Sequence, residues 1–499
     1  MESHTRIISF SWKRILFALT TFLVTTEVNI LILSSNVQAE GYIHHLDFIL
    51  EEKNYTRLCA TKSMLVVNGM FPGPTIRVRR GDTVFVNAIN KGTFGVTLHW
   101  HGVLQPRNPW SDGPEYITQC AIKPGSWFKG DVRAMVEEDL VEGVDLPTSD
   151  AYTINGQPGD FYPCSNGSTY RWHVDYGKTY LLKIVNAAMN AELFLGIAGH
   201  NLTIVGMDGS YVKPFVTRYI MISPGRTIDA LLTANQTLGQ YYIIARQFIS
   251  AVITYELYDF TNVSAILQYN GDYTPPEKPE FVTLPNYYNI NAAMDFTGRI
   301  RSLADEAHPI DVPMNITTKI NISGVYTTDF PDEPPYFFDF TGILPGYDMV
   351  DADTGTRVKV LNYGEEVEIV FQGTNVFNSS VQHPMHLHGY DFYVVGAGRG
   401  NYDFDNDPKT YNLVDPPHLN TMSSPKSGWV AIRFRANNPG TWLLHCHLDR
   451  HFSWGMNTVL IVLNGPTKET SLREPPSNMP TCKPTLELKG TAEDKLFEG

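Results

Sequence analysis

Three segments of this 499-residue chain repeat one pattern: a glycine turn, then an alternating run of β-branched and aromatic residues. They are RRGDTVFVNAIN, DYGKTYLLKIVNAA and NYGEEVEIVFQGTN, with turns at Gly81, Gly177 and Gly364. Alternation sends successive side chains to opposite faces, so each run reads as a strand with one face toward a core. Elsewhere, short β-branched runs alternate with Gly, Pro and Asn turns. The one helical candidate is KGDVRAMVEEDLVEG, residues 129–143. The chain is therefore expected to be all-β and built from about three units of one kind. The Pro-rich, aromatic stretch from Tyr273 to Tyr288 is the expected boundary between the second and third units. The glycine intervals are unequal, 96 residues from Gly81 to Gly177 and 187 from Gly177 to Gly364.

Residues 1–39 read as a secretory signal. Lys13 and Arg14 precede the apolar run from Ile15 to Val24, and Val37-Gln38-Ala39 offers a small-residue cleavage site. Glu27 and Asn29 interrupt the next apolar patch, which argues against a retained membrane anchor. Without that leader, 35 Lys and Arg stand against 50 Asp and Glu, and so acidic a chain is a poor partner for nucleic acid. Eight N-x-[ST] sequons, at Asn54, Asn166, Asn201, Asn235, Asn262, Asn315, Asn321 and Asn378, suit a glycosylated extracellular protein. The cysteines are Cys59, Cys120, Cys164, Cys446 and Cys482, an odd number for an oxidising compartment. One of them must be free or ligating, and Cys446, flanked by histidines, is the candidate.

Three His-x-His pairs occur: His99 with His101, His386 with His388, and His445 with His447. On a strand, residues i and i+2 face the same side, so each pair aims two imidazoles at one point. A single pair is weak evidence; three among 15 histidines, one enclosing a cysteine, point to metal. Because side chains alternate, Cys446 faces away from His445 and His447 and belongs to a different ion. His383, His451 and Met456 lie close enough in sequence to complete two imidazoles, a thiolate and a thioether, the ligand set of a blue-copper centre. Cys446 is also a short covalent path for electrons between the two sites.

At these residues the chain resembles the multicopper oxidases, plant laccases above all. NGMFPGPTIRVRRGD, LHWHG, SDGPEYITQC, SDAYTINGQPGD, HPMHLHGYDFYVVG and GTWLLHCHLDRHFSWGM are all similar to laccase segments. The resemblance implies three cupredoxin-like Greek-key β-sandwich domains. It implies type 1 copper on His383, Cys446 and His451 with Met456 axial. Type 2 copper would sit on His99 and His386, and the type 3 pair on His101, His388, His445 and His447. The implied reaction is one-electron oxidation of phenols, relayed through Cys446 and its neighbours His445 and His447 to reduce dioxygen to water. Ascorbate oxidases and ferroxidases share these motifs. The resemblance also implies disulfides Cys59 to Cys164 and Cys120 to Cys482, a secreted apoplastic protein and, by default, a monomer.

One departure matters. Laccases carry a fourth His-x-His pair, in a W-H-A-H sequence, where this chain runs straight from Gly125 to Ser126. The expected division is thus an incomplete first domain at 40–125, a second at 126–275 lacking its opening strand, a linker at 276–329 and a third domain at 330–499. Two type 3 ligands would be absent, and His173, His200, His308 and His418 sit in ordinary contexts for replacing them. A shortened oxidase is the expected reading. The alternative is a chain that works without dioxygen reduction, as a blue-copper electron carrier or extracellular binding protein.

Overall fold

The computed structural model describes residues 42–123, 150–250, 258–323, 358–373 and 380–479, apart from 80–81, 116, 163, 166, 168, 454 and 477–478. The signal segment, the helix expected at 129–143, Asn166, Asn378 and Cys482 lie outside the described residues.

In the first unit, β1 (Ile43–Arg57), β2 (Ala60–Val67) and β3 (Thr83–Asn90) form one sheet in the order β2-β1-β3. The second unit holds β4 (Arg171–Val174), β5 (Thr179–Val185), β6 (Glu192–Ile197), β7 (Leu202–Met207) and β8 (Ser210–Thr217). It continues with β9 (Tyr219–Ile222), β10 (Thr227–Thr233), β11 (Gln240–Phe248) and β12 (Asn262–Tyr269). These strands make the sheets β5-β10-β7-β8 and β4-β12-β11-β6-β9. The third unit holds β13 (Thr318–Ser323), β14 (Val358–Leu361), β15 (Glu366–Gln372), β16 (His383–Leu387) and β17 (Phe392–Arg399). After them come β18 (His418–Leu419), β19 (Thr421–Ser424), β20 (Gly428–Arg435), β21 (Gly440–Cys446) and β22 (Asn457–Val462). Its sheets are β13-β15-β20-β17-β18 and β14-β22-β21-β16-β19. The all-β expectation holds, and the architecture is cupredoxin-like.

The repeat has a structural counterpart. Gly177 and Gly364 take φ of +78° and +87°, which glycine adopts without a Cβ clash, and feed β5 and β15. β1 pairs in parallel with β3, and β13 does the same with β15. β5, the matching strand of the second unit, lies at its sheet edge with β10 as its described neighbour.

The stretch 276–329, read from sequence as a linker, needs correction. It contains helix α1 (Ile290–Gly298), and its β13 completes a sheet of the third unit. The helix has only nine residues, too short for a clear periodic signal; Asn289 caps it by accepting from the Ala292 N–H at 3.0 Å.

One apolar core runs from Val174 to Val462, through the second and third units, and includes Met385, Cys446 and Met456. The first unit docks by polar contacts. The Arg107 N–H donates to Asn438 Oδ1 at 2.7 Å, Asn438 Nδ2 to the Leu104 carbonyl at 2.7 Å, and Trp110 Nε1 to the Arg473 carbonyl at 2.9 Å. A disulfide, Cys59 to Cys164, ties the first unit to the second. Cys120 is also disulfide-bonded.

Candidate metal centre

Strand register builds two sites on opposite faces of one sheet. β16 and β21 are antiparallel neighbours in which Met385 opposes Cys446 and His386 opposes His445. His383, two residues before Met385, therefore shares a face with Cys446.

On that face Cys446 Sγ lies 3.8 Å from His383 Nδ1 and 3.6 Å from His451 Nδ1, and the two nitrogens are 3.1 Å apart. His451 comes from the short helix α2 (Asp449–Ser453). All three residues are buried, and Cys446 is in no disulfide. Met456 is buried too; its carbonyl accepts from the Cys446 N–H and its N–H donates to the His451 carbonyl, both at 2.9 Å. Burial pushes the Cys446 thiol up and the His383 imidazole down to about 4. The site is thus a neutral trio, in which a bound cation would draw off the thiol proton.

On the other face six imidazoles meet. His99 stacks on His388 and His101 on His386, each with ring centroids 3.9 Å apart. His388 Nε2 is 3.1 Å from His445 Nε2, and the His101 and His447 centroids are 5.0 Å apart. Four rings are fixed through Nδ1: His99 to the Asp112 carbonyl at 2.7 Å, His386 to the Asn420 carbonyl at 2.8 Å, His388 to Asp112 Oδ2 at 2.8 Å, and His445 to the Cys446 carbonyl at 2.9 Å. Each therefore turns its Nε2 inward, as metal-binding histidines do when their other nitrogen is held. His386 Nε2 is buried with no hydrogen-bond partner, a cost that a metal would remove. Burial and mutual repulsion hold His386 and His445 well below the ordinary imidazole range and bring His101 down to about 3. Neutral rings are what a metal needs.

The sequence did not single out Asp112, Asn420 or Gly225. Asp112 is fully buried; burial pushes its carboxyl up, but the hydrogen bonds from His388 and His99 outweigh this and hold it below the usual carboxylate range. Its sequence trace is the Asp of SDGPEYITQC, lying close after the first histidine pair. Thr421 Oγ1 lies 3.1 Å from His386 Nδ1 and 3.4 Å from His101 Nε2, beside Asn420. Gly225, at φ +79°, brings the second unit against the cluster, where a Cβ would stand 2.4 Å from His447 Cδ2 and 2.8 Å from His101 Cε1.

The four histidines weighed as replacements lie elsewhere. His200 contacts the Ala198 carbonyl and Tyr269 Oη, His308 pairs with Asp305, His418 lies against Tyr393, and His173 is exposed on β4.

Family models described as multicopper oxidase match residues 50–137, 120–272 and 284–466, the first two overlapping over 120–137. The chain is similar to laccase-21 of Oryza sativa subsp. japonica, with 41% identity over 559 aligned positions covering 88% of this chain and 94% of the relative. It is similar to laccase-14 of Arabidopsis thaliana at 40% identity, covering 89% and 95%. Among solved structures it resembles the laccase from Botrytis aclada in fold, with a TM-score of 0.66 at 20% identity, covering 88% and 90%.

Proposed function

The chain belongs to the multicopper oxidase family, as a copper-dependent enzyme of the laccase type, and on that premise we propose how its residues divide the work. His383, Cys446 and His451 would hold the type 1 copper, with Met456 buried beside them as a fourth candidate ligand. His99 and His386 would hold the type 2 copper, and His101 with His447 and His388 with His445 would serve the type 3 pair. Copper in these positions would take electrons singly from a phenol and pass them to dioxygen, giving water. The observation that carries this reading is the buried free Cys446 thiol between two imidazole nitrogens, bonded through its own backbone to His445 and His447.

The protein's part is positioning. Asp112 and the Asn420 carbonyl set the tautomers of His99, His388 and His386, so that each presents a lone pair inward. The apolar core around Cys446 excludes water from the thiolate. Phenolic substrates follow from the same reading, secretion to the apoplast is supported by the signal-like leader and the sequons, and a monomer is the default state.

We also propose that this chain lacks an internal stretch after Gly125. Two observations support it: the aligned span of 559 positions exceeds the 499 residues of the chain, and, among the described residues, the two ring pairs assigned to type 3 copper bring two imidazoles each. The last favours a second reading, a blue-copper electron carrier that works without dioxygen reduction. Loading the purified chain with copper and recording its visible spectrum and its oxygen uptake with a phenol tests both. A blue band with rapid uptake supports the full enzyme, a band with little uptake supports the carrier, and no band refutes the type 1 assignment.

A further inference from the structure

The two histidines of the Cys446 site come from separate segments, and one short piece of the second unit grips both. Helix α2, which bears His451, has five residues, too few to be stable alone, and its first N–H groups have no partners within the helix. The second unit supplies them: the Asp449 N–H donates to the Met189 carbonyl at 3.0 Å and the Arg450 N–H to Asn190 Oδ1 at 2.9 Å. Two residues on, Glu192 Oε1 accepts from Gln382 Nε2 at 3.2 Å, and Gln382 immediately precedes His383. The same oxygen accepts from Ser223 at 2.7 Å and from Ser423 at 2.8 Å, and Ser423 pairs with Pro384 across β16 and β19. The Gln382 N–H donates to Ser250 Oγ at 2.8 Å, a further anchor from the second unit. A carboxylate so buried is tolerated only where donors converge on it, so the arrangement is stiff.

We propose that residues 189–192 act as a clamp, with Glu192 its positioning residue, holding the His383 and His451 segments at the spacing that the type 1 copper requires. The proposal rests on the copper assignment above. It makes the second unit part of the type 1 site although it supplies no ligand.

The test uses the full chain loaded with copper and compares wild type with E192A, E192Q, N190A and S250A. The readouts are the blue absorption, the reduction potential and copper affinity, alongside melting of the copper-free protein. E192A, N190A and S250A are expected to shift the band and the potential and to weaken copper binding roughly 10- to 100-fold. E192Q is expected to restore wild-type behaviour, since its amide oxygen can accept the same three donors. Altered melting with an unchanged band, potential and affinity would overturn the clamp and leave a merely structural contact. Should E192A fail to fold, N190A and S250A decide by the same criterion. A wild-type chain without a blue band would overturn the copper assignment and the clamp with it, whereas a normal wild-type band with unaltered variants overturns the clamp alone.

Discussion

Met385 on β16 and Cys446 on β21 stand directly opposite each other, and the adjacent pair, His386 and His445, faces the other side of the sheet. This register separates the two sites. A slip of one residue would exchange the faces, carrying the thiol into the imidazole cluster and two cluster imidazoles out of it.

Replacing Cys446 by serine removes the proposed thiolate ligand and keeps the strand. The expected outcome is complete loss of the blue absorption with copper retained at the histidine cluster, read by visible spectroscopy and metal counting. A C446S protein that stays blue would contradict the assignment.

Oxygen uptake separates a complete type 3 pair from a partial one. If the proposed gap removes two imidazoles, turnover on a phenol is expected to fall about 100-fold or more below that of a chimera carrying a relative's W-H-A-H stretch between Gly125 and Ser126. Equal rates, measured with an oxygen electrode, would mean that other ligands complete the pair.

Asp112 fixes His388 through its carboxylate and His99 through its carbonyl. D112A frees the His388 ring and is expected to weaken copper binding at the cluster by about 10- to 100-fold while leaving the blue band unchanged. Competition with a chelator measures the first, the visible spectrum the second. A D112A chain with full cluster affinity would remove Asp112 from its role.

At Gly225 a methyl group would overlap His447 and His101. G225A is expected to destabilise the chain by about 1–3 kcal/mol, the usual cost of overpacking. Urea denaturation of the copper-free protein measures it, and a midpoint equal to wild type would show that the second unit does not pack against the cluster.

Acid should loosen the copper-free protein. Burial pushes His383 and His388 down to about 4 from an ordinary value of 6.5. Above pH 6.5 these rings are neutral in both states. Between about 6.5 and 4 the unfolded chain takes up protons that the folded chain refuses, so stability falls with pH by on the order of 1.4 kcal/mol per unit for each ring. Urea midpoints at pH 7 and pH 5 measure the effect, and a flat profile would contradict it.

Much of the architecture could be read from residues alone, because its signals are local. Glycine turns before alternating strands announced β3, β5 and β15, and His-x-His spacing announced paired imidazoles, since strand alternation has a period of two wherever the strand lies. The odd cysteine between histidines told which thiol would stay free. Helix α1 escaped because nine residues held by one asparagine cap carry too weak a pattern, and β13 because only its pairing with β15 reveals its allegiance.

What the sequence by itself determined, then, was the inventory of ligands and the face each would take on its own strand. Which rings meet was decided only by the tertiary structure. Asp112 reaches His388 across 276 positions and Glu192 reaches Gln382 across 190. The physical reason is that register and the docking of units choose partners by packing, which no local spacing encodes.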